Sequence, residues 1–488
     1  MYRLLYFILK EAIQMYKRIL SFTMVFLVTM GTLFVVTAST QSIEEMTEFE
    51  QMQAEMETME AFVDSEFGEG FFQNQQYALE IADQMINMFP RNRSGDIMYP
   101  EFYGGAYIGD DGRFVVLIVE SMDDTAARSE VFSSTLSNNI NYRNVEFSYS
   151  DLTGTKDIIF EIQAERNNLN CVYARNVTSL RVGIRANRII VGLEIYNDEK
   201  KAGYMENIFN SPMILFEQGV RIVEMVPTSD YSFRYLEHEY CKYYVCYCEF
   251  DYSNNEEQEE TGGHIEVTPF NDTTINPGDM LFYRFFNQRP TGTMGFRVRR
   301  VNDHATGFVT SGHIWNFEGQ RAYTGGWFAR HIGTVTNKSV NSSLMDASVV
   351  ITNDRGTPSN NTPMGTLRTD VTGLRYDEFG RRVGFRDFWE GQTVVMFGAT
   401  SASLGFPSSI GRITYVGVNV PDIGRIQMVR TDIHVRPGDS GGTIATATLQ
   451  TAGIVLAGPY NHGQGGRPMY FVPAFRIIDT MHPRLERF

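Results

Sequence analysis

The stretch Arg436-Pro437-Gly438-Asp439-Ser440-Gly441-Gly442 constrains this chain more than any other. Three glycines around one serine suit neither a helix interior nor a strand interior. Glycine allows positive φ and lets other backbone approach closely. Such a turn can leave the Ser440 hydroxyl exposed and aim the N–H groups of Gly438 and Ser440 at one point. Two donors placed so can hold the oxyanion of an acyl-transfer intermediate. Gly-Asp-Ser alone is mostly an ordinary turn; the full Gly-Asp-Ser-Gly-Gly run is more specific for a serine nucleophile.

A serine nucleophile needs a base, and the base needs an orienting carboxylate. Upstream, Gly307-Phe308-Val309-Thr310-Ser311-Gly312-His313 is an apolar strand that ends in small residues and a histidine. Asp346 stands directly before the β-branched run Ala347-Ser348-Val349-Val350-Ile351. Taken singly, His313 reads as a loop histidine at a strand end, and Asp346 as a turn residue. Taken together with Ser440, in the order His, Asp, Ser and within one domain length, they read as one catalytic triad. The region alternates short β runs with Gly, Pro and Asn turns, about a dozen strands that fit two antiparallel barrels. Pro473–Met481 is expected to be a closing helix.

These motifs resemble the trypsin-like (chymotrypsin-fold) serine proteases of the bacterial streptogrisin and α-lytic type. Met294-Gly295-Phe296-Arg297-Val298 with Phe308–His313 is similar to that family's first barrel, and Asp346–Val350 to its aspartate strand. Arg436–Gly442 with Gly453-Ile454-Val455-Leu456-Ala457-Gly458 is similar to its nucleophile turn and pocket strand. The resemblance covers residues 265–488. It implies a serine endopeptidase with His313, Asp346 and Ser440 as triad and Gly438 and Ser440 as oxyanion hole. It implies that Leu456, Ala457 and Gly458 pair with substrate backbone, and that His434 lies near the floor of the specificity pocket, favouring acidic side chains or facing solvent. Asp439 is structural, pairing with an arginine or with a freed N-terminus. The chain departs from the family at Ile314, where a cysteine is usual, and at Leu456, where a serine is common. No cysteine follows Cys248. The catalytic half therefore has no disulfide.

The rest of the 488 residues divides by pattern. Met1–Thr40 carries Arg3, Lys10, Lys17 and Arg18 ahead of an uncharged apolar run from Ile19 to Ala38, enough for an N-terminal hydrophobic helix that crosses a bilayer. It reads as a signal peptide or a signal anchor, and either way the protein is exported, secreted or membrane-anchored with the catalytic half outside. Residues 41–98 are an acidic helical segment. Residues 99–226 hold two hairpin–helix modules, an α+β unit: Gly104–Val119 around an Asp-Gly turn with a helix from Asp123, then Leu180–Ile195 with a helix from Asp198 and a strand at Ser211–Phe216. Asp110-Asp111-Gly112 is a turn and not a calcium loop. Tyr103–Tyr107 with Gly112–Val116 resembles the pro-regions of the same proteases, which implies a folding partner and intramolecular inhibitor. An independent binding domain is the alternative for this half.

Residues 227–264 are a linker with a Cys/Tyr-rich stretch. Cys241, Cys246 and Cys248 do not have zinc spacing and, with Cys171, form two disulfides or none. No metal or cofactor is called for. A net charge of −16 argues against nucleic acid as a partner. The charge divides as +5 over residues 261–488 and −21 over the remainder, so the halves can attract each other. Two rival classes are a catalytically silent, membrane-tethered binding protein and an esterase; the His-Asp-Ser order opposes the second.

Overall fold

The computed structural model describes residues 48–92, 97–120, 140–219, 273–282, 291–324, 330–342, 345–372, 374–376, 382–385, 388–403, 408–420, 425–436, 438–457, 468–481 and 485–488. The N-terminal apolar run, the helix expected from Asp123, Cys241, Cys246, Cys248 and the linker lie outside them. Among the described residues, no helix is long and apolar enough to cross a membrane.

The acidic segment is two helices, α1 (Glu48–Phe67) and α2 (Phe71–Met88), parted by Gly68 and Gly70 at positive φ. Asp64 closes the break by accepting the N–H groups of Gly70 and Phe72, both at 2.8 Å. The helix α2 buries Ala78, Ile81, Ala82 and Met85 against the sheet that follows. It therefore belongs with the first hairpin module, not to a separate segment ending at residue 98.

The expected hairpins are present. Strands β1 (Tyr103–Ile108) and β2 (Phe114–Val119) are antiparallel, and β3 (Ile140–Val145) adds parallel to β2. A polar helix, α3 (Tyr149–Asn168), capped by Ser148, and a single turn, α4 (Val172–Arg175), lead to the second hairpin. This hairpin is β4 (Val177–Gly183) with β5 (Arg188–Leu193); α5 (Asp198–Asn207) then brings β6 (Ile214–Gln218) parallel to β5. Both modules thus end on a parallel strand. Cys171 is a half-buried free thiol.

The C-terminal half has the chymotrypsin-like fold. Strands β7 (Met280–Phe282), β8 (Thr291–Thr293), β9 (Arg297–Arg300), β10 (Thr306–Thr310), β11 (Arg321–Thr324), β12 (Arg330–Ser342) and β13 (Met345–Thr352) form a curled half-barrel. Its order is β9-β10-β13-β12-β11-β7-β8, and the C-terminal strand β20 (Leu485–Glu486) pairs with β9. The second barrel is closed by six strands: β14 (Thr393–Phe397), β15 (Ser409–Val420), β16 (Arg425–His434), β17 (Thr443–Thr446), β18 (Gln450–Ala457) and β19 (Pro468–Pro473). They run β14-β17-β18-β19-β16-β15, with β15 returning to β14. The helix α6 (Ala399–Ser403) follows β14, and α7 (Ala474–Thr480) follows Pro473 as expected.

The two halves are joined through this second barrel. Strand β4 pairs with β15 at Leu180 and Asn419, so the front-half sheet extends the barrel sheet. Arg181, fully buried, lies 3.8 Å over the Tyr415 ring and pairs with Glu217. Two ion pairs cross in the sense that the charge division suggests: Asp110 with Arg412 at 2.9 Å and Glu217 with Arg430 at 3.6 Å. The Asp-Gly turn thus uses Asp110 to hold arginine. The buried Gln75 side chain accepts the Thr393 N–H at 2.7 Å. Trp389, just ahead of β14, is part of the core of the first module and meets Phe114 edge to face at 5.3 Å. An aromatic ring removed from such a core leaves a cavity. Trp389→Ala should lower stability by about 3–5 kcal/mol in denaturant unfolding of the full chain.

Candidate active site

Strand β10 is apolar and buried until Thr310, and the chain then turns at Gly312 to Ile314. The turn puts His313 inside, almost wholly covered. Strand β13 pairs with β10 so that Ser348 faces Thr310, which carries Asp346 alongside the histidine turn. Asp346 has no exposure, and both of its oxygens go to His313. Oδ1 accepts the backbone N–H at 2.9 Å, and Oδ2 lies 2.5 Å from Nδ1. A buried carboxylate needs donors. The proton of the neutral ring therefore belongs on Nδ1, which leaves Nε2 as the acceptor. The Ser348 hydroxyl donates to Ser311 O at 3.2 Å and steadies the same turn from below.

The Ser440 turn lies between β16 and β17, with Gly438 at φ 99° and Gly441 at φ 86°. A Cβ on Gly441 would stand 2.0 Å from Thr310 Oγ1 and 2.8 Å from Ser311 N, so only glycine fits there. This closeness brings the serine turn onto the chain two residues before His313. Thr293 of β8 ties the turn to the half-barrel. Its N–H donates to Ser440 O at 2.8 Å and its hydroxyl to Gly438 O at 2.6 Å, while its own carbonyl accepts the Thr310 hydroxyl at 2.7 Å. Ser311 in turn donates to Val455 O on β18 at 2.8 Å. Among the described residues, the N–H groups of Asp439, Gly441 and Gly442 have backbone acceptors, and those of Gly438 and Ser440 donate to none. Ser440 itself is half-buried.

Asp439 is fully buried and is held by neither an arginine side chain nor an N-terminus. Its Oδ1 accepts the Ser401 N–H at 3.0 Å, and its Oδ2 accepts the Ser401 hydroxyl at 2.7 Å and the Arg436 N–H at 3.0 Å. The carboxylate is satisfied within the uncut chain, and so the shape of the turn does not wait on a new terminus. Gly398 makes the room, because a Cβ there would come within 2.5 Å of Asp439 Oδ1.

The remaining expected residues lie around this centre. His434 is exposed at the end of β16, opposite Pro468. Leu456 is buried on β18, which leaves its main chain as the part able to meet a peptide. Ala457 ends β18 opposite Tyr470, and Gly458 lies outside the described residues. Thr293 and Ser401 carry no signal of their own in the sequence. Each is a hydroxyl residue in a small-residue stretch, and only tertiary contact gives it a task.

A chymotrypsin-like fold with a buried His–Asp pair set against a glycine-rich serine turn is thus preceded by a front half that docks on its second barrel. Residues 67–145 match the family model of the Pro-like N-terminal domain, and residues 150–219 match that of the Pro-like C-terminal domain. Similar solved structures include Cellulomonas bogoriensis chymotrypsin, with 21% identity over 44% of this chain and 99% of that one (TM-score 0.32). Thermobifida fusca Protease A has 23% identity over 44% and 100% (TM-score 0.31), and a glutamic acid-specific serine protease has 18% over 44% and 100% (TM-score 0.33). No curated protein matches the chain.

A hydrogen bond to a buried carboxylate is worth about 1.5–3 kcal/mol. Ser401→Ala should lower stability by that amount in denaturant unfolding, while Ser401→Thr, which keeps the hydroxyl, should lose less.

Proposed function

We propose that this chain is an exported serine endopeptidase made with an intramolecular pro-region. The observation that supports this reading best is the buried His313–Asp346 pair beside a serine turn whose two oxyanion-type N–H groups are unspent. Ser440 Oγ attacks a peptide carbonyl and passes its proton to His313 Nε2. The N–H groups of Gly438 and Ser440 take the charge that develops on the carbonyl oxygen. His313 then gives the proton to the leaving amine, and an acyl-enzyme forms on Ser440. Water, activated by the same imidazole, releases the acid. Asp346 keeps the ring in the Nδ1–H form and stabilises the imidazolium.

Substrate is a protein or peptide chain, laid along Leu456–Gly458 as an added strand. The pro-region is a folding partner and inhibitor that is cut away in the 227–264 linker. The charged, then apolar, Met1–Thr40 supports a catalytic half outside the cell, whether free or tethered. The satisfied Asp439 supports a serine turn that keeps its shape before any cut.

Hydrolysis of an unfolded protein substrate tests this reading. Ser440→Ala should lower kcat/KM by at least about 10³-fold, and Asp346→Asn by about 10⁴-fold, with the fold kept. A Ser440→Ala variant as active as the parent chain would leave the silent, substrate-binding reading or another site in its place.

A further inference from the structure

The loop Trp389-Glu390-Gly391 does more than fill space between the two halves. The Glu390 carbonyl accepts the Ile108 N–H of the first pro-region module at 2.8 Å. Its carboxyl takes the turn of the second module, with Oε1 3.2 Å from Ile184 N and Oε2 3.4 Å from Arg185 N. Arg185 closes the ring by donating to Ile108 O at 2.7 Å and to Asp110 at 2.9 Å, and Asp110 also holds Arg412 of the barrel. Gly391 sits so close that a Cβ would stand 2.0 Å from Ile108 O. One residue of the barrel therefore fastens both modules at once. It does so beside a cavity of about 230 Å³ that lies between the modules and the barrel.

We propose that this loop is a proton-sensitive seat for the pro-region, which holds it in acid and releases it as Glu390 ionises. A carboxyl at this junction is 3% exposed while the pro-region is bound and is uncovered when it leaves. Burial pushes it up to about 7, against the pull of the Ile184 and Arg185 N–H groups and of Arg185 and Arg181. In the free loop the carboxyl returns toward its ordinary value of 4.5. Binding then takes up a proton between those two values, so the hold is full below about 4.5, falls as pH rises and levels above about 7. Lys156 and Arg476 share the cavity lining, and Tyr99, Tyr103 and Tyr149 supply phenols. Lysine, arginine and tyrosine side chains do not ordinarily titrate in this window. No histidine lines the cavity among the described residues. Asp110, lowered chiefly by its hydrogen bond to Arg185, acts in the opposite sense and only at more acid pH.

This inference rests on the reading of the front half as a pro-region but not on catalysis, so its test uses the full chain with Ser440→Ala. A recognition sequence for a site-specific protease is inserted after Glu256 and cut, and the association of the two pieces is measured at pH 5.5 and pH 8. The dissociation constant should rise roughly tenfold or more at pH 8. With Glu390→Gln the pH dependence should vanish. Equal affinity at both pH values, or the same slope with Glu390→Gln, overturns the proposal. If Glu390→Gln does not fold, hydrogen exchange at the Ile184 and Arg185 amides of the uncut Ser440→Ala chain decides instead. Protection, corrected for intrinsic rates, should drop several-fold between the two pH values, and unchanged protection overturns it.

Discussion

The C-terminal half depends on a carboxylate that is cut off from solvent. Asp346 is fully covered, and an unpaired charge there would cost several kcal/mol. Among the described residues its hydrogen bonds come from His313, through both its main chain and its ring. The same two bonds that make the buried charge tolerable also fix the tautomer and the orientation of the imidazole. Stability and chemistry are therefore not separable at this point, and the turn Gly312–Ile314 has one way to lie.

The serine turn lies against the chain just before that imidazole because the half-barrel and the closed barrel are stitched to each other. Thr293 spans from β8 to two carbonyls of the turn, and Ser311 spans back to β18. Asp439 adds an inner brace to α6. The second barrel, in turn, shares a sheet with the front half and lends it Trp389 as a core residue. A barrel of non-local strand pairs closes slowly on its own. A partner that continues its sheet and takes up one of its aromatic side chains offers a template for that closure.

Much of this was legible in the sequence because local pattern and tertiary outcome agree. The hairpins at Tyr103–Val119 and Val177–Leu193 are apolar runs on either side of strong turn residues, and the strands near His313 and Asp346 are β-branched and buried. Two long elements were not legible. The helix α3 buries only Leu152, Ile159 and Gln163, so it has little apolar stripe to read. The strand β12 is rich in Thr, Asn and Ser and puts only a few apolar side chains, Ile332 and Val335 among them, into the core, so its length is set mainly by pairing with β13. The core role of α2 was hard to read because its apolar face is interrupted by polar Gln and Asn residues. The bonds of Asp439 to Ser401 and of Glu390 to Ile184 and Arg185 depend on residues far away in the chain, which no local window contains.

The central claim is that His313 makes the hydroxyl of residue 440 a nucleophile. A fluorophosphonate reagent, which reacts with activated serines, tests it on the purified, folded full chain, with the adduct located by peptide mass spectrometry. The account predicts one adduct per chain, on Ser440, and its loss with His313→Ala while the fold persists. A folded chain without an adduct at Ser440, or a His313→Ala variant that labels as fast as the parent, would contradict it.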